Sequence, residues 1–256
     1  MNIFALSDLH LSFGVPDKNM DIFGECWHEH YHKIRDNWLA TVGYDDVVIV
    51  SGDISWGLTI DQALPDLDWI DQLPGTKIIV KGNHDYWWQS RSALEDRLPE
   101  SIIPLHNNSV IIEDYLFFGS RLWEPQGSPV VLKGVDEDAK LLHRELARLK
   151  LSVQSFPKGH EQLRKIGVSH FPPSIGAGEK SEALDVFKSA GATDVVFGHL
   201  HGLEKSAGQY GEYQGVQLHL TSCDYLQFKP LKIVSTRGMT VDGEYPDKGV
   251  RFWEAA

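Results

Sequence analysis

The sequence has few of the features that mark secreted or membrane-spanning proteins. Only two cysteines, Cys26 and Cys223, occur in 256 residues, so no disulfide framework is expected, as in a reducing compartment. No apolar run approaches the roughly 20 residues that a membrane-spanning helix needs. The opening MNIFALSDLH lacks the basic segment and long apolar core of a signal peptide. These absences predict a cytoplasmic protein that does not enter a membrane.

Positive charge is also scarce. Lys and Arg total 24 against 36 Asp and Glu, which gives a formal net charge of −12. Proteins that bind nucleic acid draw most of their non-specific affinity from phosphates that Lys and Arg neutralise. The charge therefore disfavours DNA or RNA as a partner. It still allows a small phosphorylated substrate, because a bound metal ion can invert the field locally.

Short apolar runs rich in β-branched residues recur along the chain and alternate with helical patterns. Such continuous runs are typical of strands that are buried on both faces. The predicted strands are residues 3–7, 46–51, 77–81, 165–169 and 194–198. The predicted helices are residues 25–42, 59–73, 136–149 and 181–190. This alternation indicates an α/β sheet.

Other segments have the patterns of antiparallel strands and loops. Residues 109–119 predict two strands that turn at Glu113 and Asp114, and the segments after residue 210 alternate and break at glycine. Residues 125–134 are rich in Pro and Gly and predict an exposed loop. Since no repeat, low-complexity tract or long linker is present, a single domain over residues 1–256 is expected.

All five predicted strands end in residues that can bind a metal ion. The carboxyl ends of strands in an open α/β sheet gather along one edge, where ligands bind. The donors at these ends are Asp8, His10, Asp53, Asn83, His170, His199 and His201. Loop polarity explains any one of them, but it does not readily explain five strand ends together. We therefore expect these side chains to converge on one site.

The types of donor indicate which ions the site would take. Carboxylate, imidazole and amide groups suit borderline divalent ions such as Mn, Fe, Zn or Ni, and the absence of thiolate argues against a structural zinc site. Seven donors are too many for one tetrahedral ion. Two ions about 3.5–4 Å apart, bridged by a carboxylate, need a set of this size. Two divalent metal ions are therefore the expected cofactors.

The motifs DLH, GD, GNHD, a later single His, and GHLH follow one another between residues 8 and 201. In this order they resemble the calcineurin-like metallophosphoesterase superfamily, in particular its small bacterial phosphohydrolases. The resemblance implies a four-layer α/β/β/α sandwich, in which two mixed β-sheets are flanked by helices. It also implies an enzyme that hydrolyses phosphate esters.

The resemblance further implies a role for each motif residue. The implied ligands of one metal ion are Asp8, His10 and His201. The implied ligands of the other are Asn83, His170 and His199, with Asp53 bridging the two ions. His84 would face the scissile phosphate, and Asp85 would orient the His84 ring. A hydroxide that bridges the ions would attack phosphorus directly, and protonated His84 could act as the general acid.

Several features allow a structural interpretation beside a functional one. His170 is the least certain metal ligand, because its motif is a single residue. Residues 26–32 are rich in His, but only His28 and His32 share a helix face, so a helix beside the cleft is favoured over another metal site. Arg121 could bind a substrate phosphate or form an ordinary surface pair. Trp56, Trp87 and Trp88 could either form a wall of the active-site cleft or pack in the core, which is the commoner role of aromatic residues.

The favoured function is hydrolysis of a small phosphomonoester, phosphodiester or nucleotide with two metal ions, manganese among the candidates. One alternative is a nuclease of the same superfamily, which the negative charge disfavours. Another is a non-catalytic scaffold, because fold alone does not fix function. A scaffold would be expected to have lost ligands, whereas Asp53, Asn83 and His84 are all present.

Overall fold

The computed structural model describes residues 1–176, 178–203 and 211–235. These residues form eleven β-strands and five α-helices. The strands are β1 (Asn2–Ala5), β2 (Val47–Val50), β3 (Thr76–Ile79), β4 (Ile102–Pro104), β5 (Ser109–Ile112), β6 (Tyr115–Gly119), β7 (Arg164–Val168), β8 (Ala192–Phe197), β9 (Glu212–Tyr213), β10 (Val216–Leu220) and β11 (Leu231–Ser235). The helices are α1 (His30–Thr41), α2 (Ile60–Asp71), α3 (Arg91–Glu95), α4 (Val135–Gln154) and α5 (Glu182–Ser189).

The strands form two mixed sheets. The first sheet has the order β11-β1-β2-β3-β4, and the second has the order β5-β6-β7-β8-β10-β9. Strands β1 to β4 are parallel, with β11 antiparallel at the edge. Strands β6, β7, β8 and β10 are parallel, with β5 and β9 antiparallel at the two edges. The carboxyl ends of the parallel strands therefore lie at a common edge in each sheet.

One apolar cluster lies between the two sheets. It contains Ile3 and Ile49 from the first sheet together with Phe117 and Ile166 from the second, all fully buried. Because successive side chains of a strand point to opposite faces, the neighbours of these residues point outward. The inner faces of the two sheets thus pack directly against each other.

The outer faces of the sheets pack against helices. Phe4 and Val48 belong to the same buried cluster as Trp38 of α1 and Leu67 of α2. On the second sheet, α4 contacts β6 and α5 contacts β8. Helices, two sheets and helices therefore form four layers. The fold prediction, an α/β/β/α sandwich of two mixed sheets, is confirmed.

The bounds of the predicted helices differ most at the first helix and at α4, which ends at Gln154 instead of residue 149. Helix α3 and strand β4 are not predicted from the sequence. The pattern predicts a helix over residues 25–42, but α1 begins only at His30, after a 3₁₀ turn over Glu25–Trp27. Glu29 between them adopts a left-handed backbone with φ of 47°, which interrupts an α-helix. The two strands predicted within residues 109–119 are present as β5 and β6.

The structure after residue 210 is only partly antiparallel. Strand β9 pairs with β10 in an antiparallel hairpin, but β10 also pairs with β8 in parallel. The predicted structure beyond residue 235 lies outside the described residues. Within the described part of the chain, no helix combines the length and apolar character needed to cross a membrane.

Candidate metal centre

The loops that carry the donors follow the carboxyl ends of β1, β2, β3, β7 and β8. Four donors adopt a positive φ, a conformation that costs a non-glycine residue on the order of 1 kcal/mol or more: Asp8, His10, Asp53 and His199. Two glycines allow the loops to approach each other. A Cβ at residue 82 would lie 2.0 Å from Asp53 Oδ1, and one at residue 198 would lie 2.3 Å from Asp8 Oδ2. Only glycine fits these two positions.

The donors gather into two groups. The first group is Asp8, His10 and His201, and the second is Asp53, His170 and His199. Within each group the potential ligand atoms lie within 4.8 Å of one another. The Asn83 side chain joins the second group, because its Oδ1 is 2.6 Å from His170 Nε2 and 3.0 Å from His199 Nδ1. The structure thus brings together all seven donors that the sequence singled out.

The carboxylate of Asp53 lies between the two groups. Its Oδ2 is 3.7 Å from His10 Nε2 in the first group. Its Oδ1 is 3.5 Å from His170 Nε2 in the second group. Because one oxygen faces each group, this carboxylate has the placement that a bridging ligand needs.

Three of the histidines direct a lone pair into the site. The Nδ1–H of His170 donates to the Ser51 carbonyl at 2.8 Å, and that of His201 donates to Asp224 at 2.9 Å. The Nε2–H of His199 donates to Glu124 at 3.1 Å. In a neutral imidazole the other ring nitrogen then carries a lone pair. These outward hydrogen bonds fix the tautomer in which each ring can bind a metal ion.

When the rings are neutral and Asp8 is ionised, as metal binding requires, the inward-facing atoms are mostly acceptors that face other acceptors. His170 Nε2 lies 2.6 Å from the Asn83 oxygen, and His201 Nε2 lies 3.3 Å from His10 Nε2 and 3.6 Å from Asp8 Oδ1. Such close lone pairs repel each other unless a cation lies between them. The arrangement therefore fits divalent cations in both groups.

Burial affects the protonation of these donors in the metal-free chain. Burial raises the pKa of Asp8 well above its usual range and lowers that of His170 to about 3. Burial alone would raise the pKa of Asp53 too, but the neighbouring His170, His84 and His10 hold it below its usual range. For His201, burial lowers the pKa, yet the charge and hydrogen bond of Asp224 outweigh it and raise the pKa to about 9.

The role predicted for Asp85 needs correction. Its buried carboxylate accepts the backbone N–H groups of Asp53, Ile54, Ser55 and Gly82 at 2.7–3.2 Å and the Trp87 indole N–H at 3.0 Å. Among the hydrogen bonds of the described residues, none joins Asp85 to the His84 ring. With every acceptor direction taken by these N–H groups, the carboxylate instead holds the loop of Asp53 against the loop of Asn83 and His84.

His84 lies at the half-buried rim of the site. Its backbone N–H donates to Asp53 Oδ1 at 2.9 Å, and its ring centroid is 4.6 Å from that of Trp56. Trp56 also stacks on His10 with centroids 5.0 Å apart. Burial lowers the pKa of His84. Trp56 therefore walls the site beside a histidine that belongs to neither ligand group.

Comparison with known proteins places this geometry in a family. The family model for calcineurin-like phosphoesterases matches residues 1–203. The chain belongs to the calcineurin-like phosphoesterase family. The prediction from the five motifs is confirmed, and the family consists of metal-dependent hydrolases of phosphate esters. The two groups of donors in this chain agree with that dependence.

Two curated relatives and one solved structure illustrate the likeness. The chain is 37% identical over 84 residues to the Gene 66 protein of Mycobacterium phage D29 and 37% identical over 86 residues to that of phage L5. Each match covers 33% of this chain and 40% of the relative, so the chain spans about two-fifths of the length of these curated relatives. Phosphopantetheinyl hydrolase from Mycobacterium tuberculosis has the same fold, with a TM-score of 0.55, 15% identity, and coverage of 89% of this chain and 90% of that chain.

Two residues of this calcineurin-like site were missed by the motifs. Asp224 supports His201, and its other oxygen accepts the Gly202 N–H at 2.8 Å. Glu124 supports His199 and also accepts the Ser128 hydroxyl at 2.8 Å. Asp224 lies just past the end of β10, so the rule that located the other donors would have found it had it been applied to residues 216–224. The sequence offers no comparable signal for Glu124.

Arg121 forms a buried pair and not an ordinary surface pair. Its Nη2 donates to Glu145 at 3.1 Å, Glu145 is only 1% exposed, and Arg148 shares the same carboxylate oxygen at 2.8 Å. The Arg121 carbonyl accepts the N–H groups of His170 and Phe171 at 3.1 and 3.0 Å. The backbone of Arg121 thus holds the His170 loop, while binding of substrate by its guanidinium stays a prediction.

The histidine-rich tract 26–32 contributes Trp27 to the wall of the site. Neither group of metal-type donors found in the described residues includes a residue of the tract. The buried ring of His30 bonds to the carbonyls of Trp27 and Leu9 at 3.1 and 2.9 Å. Trp27 places its ring 5.7 Å from that of His201. Of the other tryptophans, Trp87 and Trp88 are buried and bond through their indole N–H groups.

Proposed function

We propose that the chain hydrolyses small phosphate esters with two divalent metal ions. The observation that carries the proposal is the position of Asp53, one oxygen of which faces each of the two groups of donors. A site for a single ion would need only one such group. The substrates we propose are phosphomonoesters and phosphodiesters, with nucleotides as the third class.

When bound, the two ions would lower the pKa of a shared water, which makes a nucleophile available at neutral pH, and would neutralise charge on the phosphoryl oxygens. The protein residues hold this chemistry in place. Asp224 and Glu124 lock the tautomers of His201 and His199, so that each ring presents its lone pair inward. Asp85 fixes the backbone that carries Asp53.

His84 is placed to act on the leaving group. It is half-buried at the rim, and its ring lies beside the stacked pair of His10 and Trp56, with centroids 5.7 Å and 4.6 Å from theirs. An imidazole at this position can hydrogen-bond to a phosphoryl oxygen or give its proton to the leaving oxygen as the P–O bond breaks. The attacking water supplies the hydroxyl group of the phosphate product, so no phosphoenzyme forms.

The test is hydrolysis of p-nitrophenyl phosphate and bis(p-nitrophenyl) phosphate with added Mn²⁺. We expect Asp53→Asn and His84→Ala each to lower kcat/KM by roughly 10²–10⁴, the usual contribution of such groups. Metal content measured by mass spectrometry should be two ions per wild-type chain and lower for Asp53→Asn. Turnover that neither substitution changes would refute the proposal.

Two matched variants serve as controls. Asp61→Asn removes an exposed carboxylate that pairs with Arg97, and His28→Ala removes an exposed imidazole that pairs with Asp21. Neither residue lies in the groups of donors, so both variants should keep wild-type activity and metal content. Loss of metal in His28→Ala would revive a metal site in the tract 26–32.

The alternatives predict different results in the same assays. A nuclease would cleave oligonucleotides efficiently but not the chromogenic esters. The net charge of −12 disfavours this alternative, because binding of nucleic acid depends on Lys and Arg that neutralise phosphates. A non-catalytic scaffold would hydrolyse neither class of substrate even when loaded with metal.

A further inference from the structure

A large cavity adjoins the candidate metal centre, and none of the seven metal-type donors lines it. Its volume is about 1010 Å³, and it lies between residues 122–131, helix α4, and residues 172–175 and 179–185. Glu124 lines the cavity, and its carboxylate contacts the outer nitrogen of His199 at 3.1 Å. The cavity therefore begins one side chain away from the metal-binding rings.

The walls of the cavity are mainly apolar. The apolar lining includes Leu122, Trp123, Val130, Leu142, Leu146 and Pro172. The ring of Trp123 lies 4.7 Å from that of Phe171, which in turn lies 4.1 Å from the His199 ring. An unbroken series of rings thus connects the metal-binding edge of the sheet to the cavity wall. Apolar walls of this kind bind apolar chains or rings.

The charged groups of the cavity are mostly acidic. Its carboxylates are Glu124, Asp138, Glu179, Glu182 and Asp185. Among the described residues that line it, Lys180 is the one lysine or arginine, and it lies 3.9 Å from Asp185. Like charges repel across such a cleft, so an anionic occupant would be disfavoured.

We propose that this cavity binds the leaving group of the substrate, and that this group is an uncharged apolar chain or ring. The inference rests on the proposed phosphoester hydrolysis and narrows its substrate class. A volume near 1000 Å³ is at the upper end of pockets that enclose small ligands, so the leaving group is larger than a single ring. The acidic lining argues against nucleotides and oligonucleotides that would place further phosphates there.

The substrate test varies the size and charge of the leaving group while its reactivity stays similar. Phenyl phosphate, 2-naphthyl phosphate and 6-sulfo-2-naphthyl phosphate release phenols of comparable acidity. We expect kcat/KM for the naphthyl ester to exceed that for the phenyl ester by about tenfold, the range that extra apolar contact gives. The sulfonated ester should fall at least about tenfold below the naphthyl ester. Equal use of all three esters would overturn the inference.

Two matched substitutions on α4 test the location. Ala139 lines the cavity and Ala147 does not, and both are exposed on the same helix. Ala139→Trp should reduce the naphthyl-to-phenyl ratio of kcat/KM to within about twofold of one, because the indole fills the cavity. Ala147→Trp should leave the ratio unchanged. An unchanged ratio in Ala139→Trp would overturn the inference.

A binding measurement separates this inference from the proposed function. Calorimetric titration of the folded protein with 2-naphthol should show binding that Ala139→Trp weakens at least about fivefold and Ala147→Trp does not. Absence of naphthol binding to the wild type would overturn the cavity assignment even if phenyl phosphate is hydrolysed. Absence of metal-dependent phenyl phosphate hydrolysis would overturn the proposed function. The naphthol titration would still show whether the cavity binds an uncharged apolar ring.

Discussion

Replacing Asp224 by Asn removes one charge and changes the shape of the side chain very little. One carboxylate oxygen accepts a hydrogen bond from His201 Nδ1–H at 2.9 Å, and the other accepts one from the Gly202 backbone N–H at 2.8 Å. An asparagine has one acceptor oxygen and must turn its NH₂ group toward the other donor. Either the Gly202 N–H loses its partner, or the proton of His201 moves to Nε2, the nitrogen that faces Asp8 at 3.6 Å.

Each of these outcomes weakens the first group of metal donors. Loss of a carboxylate partner of a metal-binding histidine typically lowers metal affinity about 10–100-fold. That range corresponds to about 1.4–2.7 kcal/mol of binding free energy. We therefore expect Asp224→Asn to weaken one of the two Mn²⁺ sites by this factor while the other site keeps its affinity.

The assay is competition between the protein and a chelating dye, analysed as two binding steps. The matched control is Asp194→Asn, since Asp194 also pairs with a buried histidine, His219, at 3.0 Å, but lies near the amino end of β8 and away from the donors. This control should lower the free energy of unfolding without changing metal affinity. If Asp224→Asn and Asp194→Asn bind Mn²⁺ equally well in both steps, Asp224 does not orient His201 for metal binding.

Three further predictions concern the second site and the stability of the fold. Glu124→Gln removes the carboxylate that holds His199 Nε2–H and should weaken the other Mn²⁺ step about tenfold in the same dye titration. Burial raises the pKa of Asp66 to about 6, so its contribution to stability is present below the unfolded value near 3.8 and is lost as pH rises through 6. The wild type should therefore lose up to about 3 kcal/mol of its free energy of unfolding between pH 4 and pH 8 that Asp66→Asn does not lose. Urea denaturation at the two pH values measures this difference, and an equal pH dependence of both proteins would contradict it. Buried Lys77 donates to the Asp71 and Leu73 carbonyls at the end of α2 and to Ser101, so Lys77→Met should cost about 2–3 kcal/mol in the same assay.

The metal donors could be predicted from sequence because each obeys a local rule. A buried strand ends, and the next residues carry a carboxylate, amide or imidazole. At three of the five strand ends a glycine, Gly52, Gly82 or Gly198, first allows the chain to turn. The rule works at a distance because parallel strands bring their ends together, whatever the separation along the chain. The alternation of strands and helices alone predicts an α/β sheet, whereas the four-layer sandwich of two sheets is predicted from the resemblance of the motifs to a known family.

Apart from Asp224, which follows β10, the supporting contacts could not be predicted in this way. The partner of Asp85 depends on which backbone N–H groups the Asp53 loop presents, and this is decided by tertiary packing. Glu124 reaches His199 across 75 residues of sequence, from a loop without periodic pattern. The late start of α1 has the same origin, since the left-handed backbone of Glu29 follows a turn that packs Trp27 against the site.

The most direct test of the account is anomalous diffraction from crystals grown with Mn²⁺. We expect two anomalous peaks about 3.5–4 Å apart, with Asp53 between them, Asp8, His10 and His201 around one, and Asn83, His170 and His199 around the other. A single peak, or two peaks that do not share Asp53, would contradict it.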